Sequence, residues 1–372
     1  MSETTETALA PGRFRAVRHL MRPHHMRDSM ALVRQPSLRN SALAGFQAAL
    51  TLAIALPIMQ LSPYSDLAGF AALGALVALF GRFAPEGRRA RIVLLCGLVQ
   101  VSAVLTMSLA VWAGASAVVQ LLLLAVLSGV FFFVSVTGQF GPPGVLIFVF
   151  AAGASMGHGG DLQDIAARVL ATGLVAVLGL VVCIATEGIR HAAGPDRPLP
   201  SEPERPLGHR LLASARIALG TAIAGLVGHA LGAPHPAWAA MGTIAVIQGQ
   251  HLHLSLNRAL QRMVGTMAGA LVVWLILTHD PSAWSLIGIL ILLQFATEVI
   301  IGSNYGLGQI LITPMALLMS HLAAPHVSGP AMAPERVWDT LLGVTLGMVI
   351  AVLFSSVDDR VHLARHHGAP KG

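Results

Sequence analysis

The sequence is poor in charge: of its 372 residues only 11% are Asp, Glu, Lys or Arg, and 55% are hydrophobic. Soluble domains carry about a quarter of their residues as charged side chains, so this composition excludes an ordinary soluble protein. Several apolar windows exceed roughly 18 residues, the length needed to cross a hydrocarbon core about 30 Å thick. The composition and these windows together predict an all-α integral membrane protein, with the lipid bilayer as its surroundings.

Cysteine and lysine are also scarce. Cys96 and Cys183 both fall within apolar segments, so we expect free thiols and no disulfide framework. The single lysine, Lys371, stands beside 22 arginines, and the net charge is +6. In a soluble protein that charge would suggest nucleic acid. Here most arginines lie in short loops and the N-terminal arm, where the positive-inside rule accounts for them, and we expect no nucleic-acid partner.

Motifs of enzymatic chemistry are missing as well. The sequence has no nucleophile elbow, no paired carboxylates and no phosphate-binding loop, so we expect no enzyme and no cofactor. The histidine-rich stretches RPHHMR (22–27) and QHLHLS (250–255) lack other metal-ligand residues nearby, and we expect no metal site. Residues 1–40 are polar and have no apolar h-region, which argues against a cleavable signal peptide.

Hydropathy predicts about twelve membrane spans in two sets of six. The predicted spans are 42–61, 65–81, 92–113, 116–137, 142–157 and 165–186, then 212–231, 235–249, 259–278, 283–302, 305–323 and 336–356. The second and eighth predicted spans have the shortest apolar cores. Crossing by the second span places Arg82, Arg88, Arg89 and Arg91 with the basic N-terminal arm, as the loop rule prefers.

This arrangement divides the chain into five parts. They are a basic cytoplasmic arm (1–40), a six-helix repeat (41–187), a cytoplasmic linker (188–211), a second six-helix repeat (212–357) and a cytoplasmic tail (358–372). Both termini are then cytoplasmic, and the expected location is a bacterial inner membrane. The tryptophans fall near the outer helix ends, where an interfacial aromatic belt is expected: Trp112, Trp238, Trp274, Trp284 and Trp338.

The two predicted sets of helices resemble each other in sequence. FAALGALVALFGR (70–82) aligns with WAAMGTIAVIQGQ (238–250) at an offset of 168 residues, and so does RVLATGLVAVLGLVV (168–182) with RVWDTLLGVTLGMVI (336–350). Six spans are an even number, so both repeats insert the same way round. Parallel repeats of this kind are related by a pseudo-two-fold axis along the membrane normal. Two repeats can enclose a transport path on this axis, which one repeat could not.

The second half carries a recognisable combination of residues. A short segment contains Trp238 and Gly242, and the next begins with the motif Arg-x-x-Gly-Thr-x-x-Gly, formed by Arg262, Gly265, Thr266 and Gly269. This pattern resembles the fusaric acid resistance (FUSC-like) and aromatic acid exporter families. The resemblance implies efflux of small organic anions, often aromatic carboxylates, and leaves a homo-oligomer or an accessory efflux subunit open as further partners.

Two alternatives stay open. The loop GRFAPEGRRAR (81–91) ends like the Gly-x-x-x-Asp-Arg-x-Gly-Arg-Arg loop of major facilitator transporters. It lacks the Asp-Arg pair, so we interpret it as an ordinary basic loop and keep a major facilitator-type transporter as the alternative. The second alternative is a membrane module of the cell envelope that does not transport. Charged residues inside the spans favour transport, because a charge in the membrane is costly and tends to mark a pathway.

One predicted contact joins Arg262 to Glu298. The two residues lie at matching depth in the membrane, each about one turn from the cytoplasmic end of its predicted span. Glu298 is the one acidic residue well inside a predicted span. An unpaired carboxylate there would tend to become neutral. The first repeat has Leu94 and Val130 at the equivalent positions, so only the second repeat could form this pair. The alternative is that Arg262 extends to the headgroups and Glu298 packs elsewhere.

A second prediction concerns two equivalent arginines, Arg168 and Arg336, each near the outer start of the last helix of its repeat. If both arginines face the two-fold axis, they form a cationic constriction at the outer mouth that selects anions, and guanidinium binds carboxylate in a bidentate fork. Thr172 and Thr340, four residues further on, would extend the path inward. The alternative is local pairing, of Arg168 with Asp164 and of Arg336 with Asp339.

Overall fold

The computed structural model describes residues 34–191, 199–200, 205–248, 252–323 and 329–354, and their regular structure is entirely helical. The stretch RPHHMR and the first residues of QHLHLS lie outside these ranges. Within these ranges twelve α-helices follow one another: α1 (Leu38–Leu61), α2 (Ala68–Ala75), α3 (Arg89–Trp112), α4 (Ala117–Thr137), α5 (Leu146–Ala154), α6 (Leu162–Ala185), α7 (Leu207–Ala230), α8 (Pro236–Ile247), α9 (Leu252–Thr278), α10 (Ala283–Ile301), α11 (Tyr305–Ala323) and α12 (Met332–Leu353).

Nine of the helices in the described ranges are long and apolar enough to cross a membrane. The all-helical membrane class is therefore confirmed, whereas α2, α5 and α8 fall short of the length expected for a full span. α5 has nine residues and α8 has twelve, and about 20 are needed at 1.5 Å per residue. Short 3₁₀ turns extend α2 to Ser65–Leu79. All residues of α2 and all residues of α8 after Pro236 are buried, so neither helix faces lipid.

Local sequence explains where several helices begin. Ser37, Ser116 and Ser282 precede α1, α4 and α10, and each side chain accepts a backbone N–H of the first turn. Asp161 forms a capping box with Asp164 at the start of α6. Side chains of this type satisfy N–H groups that have no partner within the helix. In the first half, the stretch GQFGPPG (138–144) replaces the first turns of a fifth helix, which leaves α5 short.

The helices pack in pairs that recur six helices later. Within the halves, α2 packs on α6 as α8 does on α12, and α3 packs on α6 as α9 does on α12. Between the halves, α4 packs on α7 as α10 does on α1, and α2 meets α11 as α5 meets α8. The second and eighth helices thus occupy the interior, and the contacts between the halves form two separate seams.

The tryptophans divide into two groups. Trp112, Trp274, Trp284 and Trp338 are exposed on the helix surface, with 43% or more of each residue accessible. Trp238 is 6% exposed, so its assignment to an interfacial belt was wrong: it lies at the start of a helix that is buried on every side. Cys96 and Cys183 are buried free thiols.

Candidate functional site

Two arginine–aromatic pairs occupy equivalent places in the halves. The guanidinium carbon of Arg168 lies 5.7 Å from the ring centre of Phe70, and that of Arg336 lies 4.9 Å from the ring of Trp238. Both the arginines and the rings are 168 residues apart. A guanidinium over an aromatic face is attracted by the ring quadrupole, more strongly when water is excluded. Both arginines are buried, so each ring supports a charge that would otherwise be costly there.

The remaining donors of the two arginines differ. Arg168 donates from Nη1 and Nη2 to the carbonyls of His158 and Gly159, at 2.8 and 2.7 Å. These bonds tie the first turn of α6 to the loop before it. In Arg336 both Nε and Nη1 are buried without a hydrogen-bond partner in the described chain. Arg336 therefore keeps donors that a ligand could use, whereas Arg168 has committed two of its donors to the backbone.

The predicted local alternatives for these arginines are not formed as expected. Asp164 accepts the backbone N–H of Asp161 in the capping box, and no ion pair joins it to Arg168 in the part of the chain that is described. Asp339 lies within electrostatic range of Arg336, but the two make no ion pair within 4 Å.

Thr172 and Thr340 lie where their helices pack against the short buried helices. Thr172 donates to the Phe70 carbonyl at 3.1 Å, while the hydroxyl of Thr340 is buried without a hydrogen-bond partner in the described chain. Glycine permits both approaches: a Cβ at Gly74 would lie 2.3 Å from the carbonyl oxygen of Thr172, and one at Gly242 would lie 3.3 Å from that of Thr340. The equivalent glycines thus hold α2 against α6 and α8 against α12.

The glycines of the sequence motif bring α9 and α11 together. A Cβ at Gly265 would lie 2.6 Å from the carbonyl oxygen of Gly306, and one at Gly269 would lie 2.6 Å from that of Ile310. Close backbone approach of this kind is how helices associate within lipid. One turn before Gly265, Arg262 donates from Nη1 to the Tyr305 hydroxyl at 3.0 Å.

The predicted pair of Arg262 with Glu298 is not formed. Glu298 instead pairs with Arg82, whose Nη1 lies 2.6 Å from the carboxylate oxygen Oε2, and both side chains are 4% exposed. Gly45 makes room for this, because a Cβ there would be 2.9 Å from the Cβ of Glu298. The carboxylate therefore faces α1 and the segment after α2, and it lies at the seam between the halves. In the sequence Arg82 belongs to an ordinary basic loop, so its pairing with Glu298 was not predicted.

Around Arg262 and Arg336 the second half buries many polar atoms that have no hydrogen-bond partner within the described chain. They belong to Arg262, Thr266, Gln294, Thr297, Gln309, Arg336, Asp339 and Thr340. Within residues 34–191 the atoms of this kind belong to Gln35, Arg82, Gln100 and Ser108. Each unsatisfied buried group costs about 1–3 kcal/mol, and native proteins keep few of them. Such a concentration is typical of a site that binds a polar ligand or water.

The two arginines of this region influence each other. Arg262 and Tyr305 both lie within electrostatic range of Arg336, as does Asp339. The cluster of Arg262, Tyr305, Arg336 and Asp339, called the buried arginine cluster below, thus contains two cations, one carboxyl group and one hydroxyl. With two guanidinium groups against one carboxyl group, it can accept an anion.

Comparison with protein families supports the assignment suggested by the motif. Residues 222–350 match the family model described as fusaric acid resistance protein-like. The chain contains a FUSC-like region. No curated protein and no solved structure matches the chain. The FUSC-like region spans α8 to α11, the last nine residues of α7 and most of α12, so it includes the whole buried arginine cluster. The match to this family of membrane transporters suggests a transport or efflux role.

Proposed function

We propose that this protein exports small organic anions, such as aromatic carboxylates, along a path between its two halves. The observation that carries the proposal is the buried arginine cluster of the FUSC-like region, in which Arg336 keeps Nε and Nη1 without a hydrogen-bond partner in the described chain. A carboxylate placed there would receive charge-assisted hydrogen bonds, which are stronger than neutral ones. The cluster has one carboxyl group, that of Asp339, for its two guanidinium groups. A bound anion would therefore supply the second negative charge.

The location of the cluster also supports a path between the halves. Arg336 stacks on Trp238, and the neighbouring Ala237 meets α5 of the first half, since a Cβ at Gly153 would lie 3.2 Å from the Cβ of Ala237. Phe70, the ring under Arg168, lines a cavity of only about 10 Å³ with Met319 of the second half. Both arginine–aromatic pairs therefore lie beside contacts between the halves, and the path is narrow at this level.

The finer architecture is part of the same proposal. Twelve helices would form two parallel six-helix repeats about a pseudo-two-fold axis normal to the membrane. The recurrence of helix contacts six helices apart and the equivalent pairs Arg168–Phe70 and Arg336–Trp238 support it. Both termini would be cytoplasmic and the membrane a bacterial inner membrane, with α2, α5 and α8 crossing as short helices inside the bundle.

The alternatives are weaker on these observations. The family match lies in the region of the FUSC-like motif, which favours this interpretation over a major facilitator-type transporter. A non-transporting envelope module would not explain why two arginines and several unpartnered polar groups are buried together in one half. That module is nevertheless the outcome to which a failed transport experiment would point.

The proposal is tested by flux. Purified protein is reconstituted into liposomes loaded with radiolabelled benzoate, and release is measured for the wild type, Arg336→Gln and Arg168→Gln. We expect Arg336→Gln to lower benzoate release by about tenfold or more, because a hydrogen bond to a charged group is worth about 1.5–3 kcal/mol and 1.4 kcal/mol is tenfold. Arg168→Gln should lower thermal stability, with a smaller effect on release per folded molecule.

The control for this experiment is Arg91→Gln, which removes an exposed arginine from the first turn of α3 and should leave release unchanged. Folding of each variant is checked by size-exclusion chromatography before reconstitution. Wild-type protein that releases no benzoate, or equal release from wild type and a folded Arg336→Gln variant, would contradict the role given to Arg336.

The topology has its own test at the two ends of α6. Gly159 precedes this helix and Gly188 follows it, and a Cβ at either position would meet nothing within 4 Å. Single cysteines are placed at these positions in a chain with Cys96→Ala and Cys183→Ala. We expect an impermeant thiol reagent added to intact cells to label the cysteine at position 159 and not the one at 188. The reverse pattern would overturn the assigned sides.

A further inference from the structure

Three polar side chains lie together on α10, the helix of the second half that packs on α1 of the first. Gln294, Thr297 and Glu298 are 0%, 1% and 3% exposed, and they share one face because residues three and four apart are neighbours on a helix surface. Gly45 of α1 approaches this face, since a Cβ there would lie 2.9 Å from the Cβ of Glu298. The contact between the two helices, called the α1–α10 seam below, therefore has a polar strip inside the protein.

Most polar atoms of this strip lack a hydrogen-bond partner in the described chain. Both amide atoms of Gln294 and the hydroxyl of Thr297 are buried without one, and so is Nε of Arg82, the ion-pair partner of Glu298. Each such group is destabilising, and a buried ion pair is often no more stable than apolar side chains of similar size. A seam that only held the halves together would thus not need these groups.

The equivalent helix of the first half, α4, has no such strip. Its equivalent residues are Val126, Gly129 and Val130, each 168 positions earlier, and the two valines are 60% and 49% exposed. The fold that the halves share therefore does not require polar side chains here. Polar and ionisable residues within membrane spans are rare, and they tend to mark ion pathways and proton relays.

On the proposed path an organic anion can pass only if the halves separate. Beside Phe70 and Met319 the cavity between them measures about 10 Å³, which is space for no more than about one water molecule. Separation at the α1–α10 seam takes Arg82, which belongs to the first half, away from Glu298, which belongs to the second. A carboxylate left alone in the membrane is costly, and it becomes neutral by binding a proton.

Besides Arg82, the described elements around Glu298 carry other charged or titratable groups. They are Arg34 before α1, Arg39 in α1, the exposed Glu86 and Arg88 after α2, Arg89 and Arg91 in α3, and Tyr305 and His321 in α11. Of these described groups, Arg82 is the one that forms an ion pair with the carboxylate, at 2.6 Å. Contact with Arg82 thus keeps Glu298 ionised, and protonation of Glu298 requires that Arg82 move away.

We infer that Glu298 is a proton-binding site and that its protonation accompanies the opening of the α1–α10 seam. One proton from water binds a carboxylate oxygen as the Arg82 guanidinium leaves, and it returns to water when the ion pair forms again. Gln294 and Thr297, within one turn of Glu298, offer polar contacts to the water that carries the proton. The inference rests on the proposed anion transport and adds the proton to it as the coupling ion.

Chemical labelling of Glu298 tests the inference without a transport measurement. Dicyclohexylcarbodiimide is an apolar reagent whose central carbon bonds to the oxygen of a protonated carboxyl group, and mass spectrometry of peptides detects the adduct. Purified wild type, Arg82→Gln and Arg88→Gln are labelled in detergent at pH values from 6 to 8. We expect Glu298 to be labelled about tenfold faster or more in Arg82→Gln, because an adjacent opposite charge changes the protonated fraction of a carboxyl group by that much.

Arg88→Gln is the matched control, because it removes the same charge from an exposed position in the same loop, and it should be labelled like the wild type. Folding is checked by size-exclusion chromatography. Equal labelling of Glu298 in the wild type and a folded Arg82→Gln variant would overturn the inference. The wild type supplies a measurement that needs no variant: labelling should slow as the pH rises, and a rate that is constant from pH 6 to 8 would also overturn the inference.

Release from liposomes tests the link to transport. The solute is radiolabelled benzenesulfonate, an aromatic anion that stays ionised at these pH values, so that pH acts on the protein. With equal pH on both sides, we expect wild-type release to fall by about tenfold from pH 6 to 8, because the proton concentration falls by about a hundredfold. Release by Glu298→Gln should not depend on pH, because an amide resembles the neutral carboxyl group. Glu86→Gln, at an exposed acid, should keep the wild-type dependence.

A pH dependence that persists in folded Glu298→Gln would contradict the inference. If this variant does not fold, Arg82→Gln with Glu298→Gln, which removes both charges, takes its place with the same expectation. The outcome is distinguishable from the outcome for transport. Faster labelling in Arg82→Gln, with no release of benzoate or benzenesulfonate by the wild type, would contradict the proposed function and leave Glu298 as a proton site. Normal release of benzoate, with equal labelling in the wild type and Arg82→Gln, would contradict the inference alone.

Discussion

The third helix of each half shows how differently the two halves use one scaffold. In α9, Arg262 and Thr266 are buried, at 4% and 1% exposure, whereas their equivalents in α3, Leu94 and Leu98, are 48% and 60% exposed. The same contrast separates the fourth helices: Glu298 is 3% exposed and the equivalent Val130 is 49% exposed. Positions that face lipid in the first half hold polar groups inside the protein in the second.

The cause lies in the fifth helix. In the second half α11 runs from Tyr305 and covers α9, so polar side chains at that contact are sheltered from lipid. In the first half the equivalent turns are the loop GQFGPPG, and a groove of about 300 Å³ remains beside Leu94, Gly97 and Leu98. Side chains in such a groove must be apolar, because an unsatisfied polar group in hydrocarbon costs several kcal/mol. This one difference in the fifth helix thus explains why α3 has apolar side chains that face lipid, whereas α9 has polar side chains inside the protein.

The largest effect expected from breaking this contrast is at the Glu298–Arg82 pair. Glu298→Val installs the residue of the first half and leaves Arg82 buried without its carboxylate. Removing one partner of a buried ion pair typically costs about 3–5 kcal/mol. We expect a marked fall in the thermal unfolding temperature of the purified protein in detergent, and recovery of most of it when Arg82→Leu is added.

The control is Glu86→Gln, at an exposed acid in the loop before α3. Glu86 makes no ion pair within the described chain, and surface substitutions away from buried contacts usually change stability by about 0.5 kcal/mol or less, so this variant should shift the unfolding temperature little. If Glu298→Val is no more harmful than Glu86→Gln, the seam between the halves does not depend on its ion pair.

A smaller effect is expected from the glycines that set the distance between helices. Gly265→Ala places a Cβ 2.6 Å from the Gly306 carbonyl oxygen, a backbone atom, while Gly97→Ala at the equivalent position places one 3.5 Å from the Cβ of Ala176. Overpacking costs about 1–3 kcal/mol, and alanine in an open helix position is favourable by up to about 1 kcal/mol. Thermal unfolding should therefore show a loss for Gly265→Ala and none for Gly97→Ala.

An equal loss in the two variants would mean that α3 and α9 are packed alike, against the difference described above. Equal stability of both with wild type would mean that α11 moves away from α9 easily. Benzoate release by Gly265→Ala adds a second measurement, because a displaced α11 carries Tyr305 away from Arg262.

Parts of this organisation could be predicted from the sequence and parts could not. Helical class, free cysteines and the FUSC-like region follow from composition and from a local motif, because they need only neighbours in the chain. The partner of Glu298 could not be predicted in this way. Matching depth within one half pointed to Arg262, whereas the actual partner, Arg82, comes from the other half and depends on how the halves dock.

The smallest expected effect concerns His158, which belongs to the arginine–aromatic pair of the first half. Its ring meets Phe70 edge-on at 5.7 Å. Burial lowers the pKa of this histidine below its ordinary 6.5, the nearby charge of Arg168 acts in the same direction, and the Met156 carbonyl opposes both. The folded protein therefore disfavours the protonated ring more than the unfolded chain does.

The sign of the pH dependence follows from linkage. While the ring is neutral, above about pH 6.5, this stability is fully present. As the pH falls through that value, the unfolded chain binds the proton first and the contribution is lost. We expect the unfolding temperature to fall between pH 7.5 and 5.5, less steeply in His158→Asn, and as in wild type in His279→Asn, an exposed histidine after α9. If the unfolding temperature of His158→Asn depends on pH as in the wild type, His158 does not contribute to the stability around Arg168. Phe70 and the two loop carbonyls would then be the groups that hold this arginine.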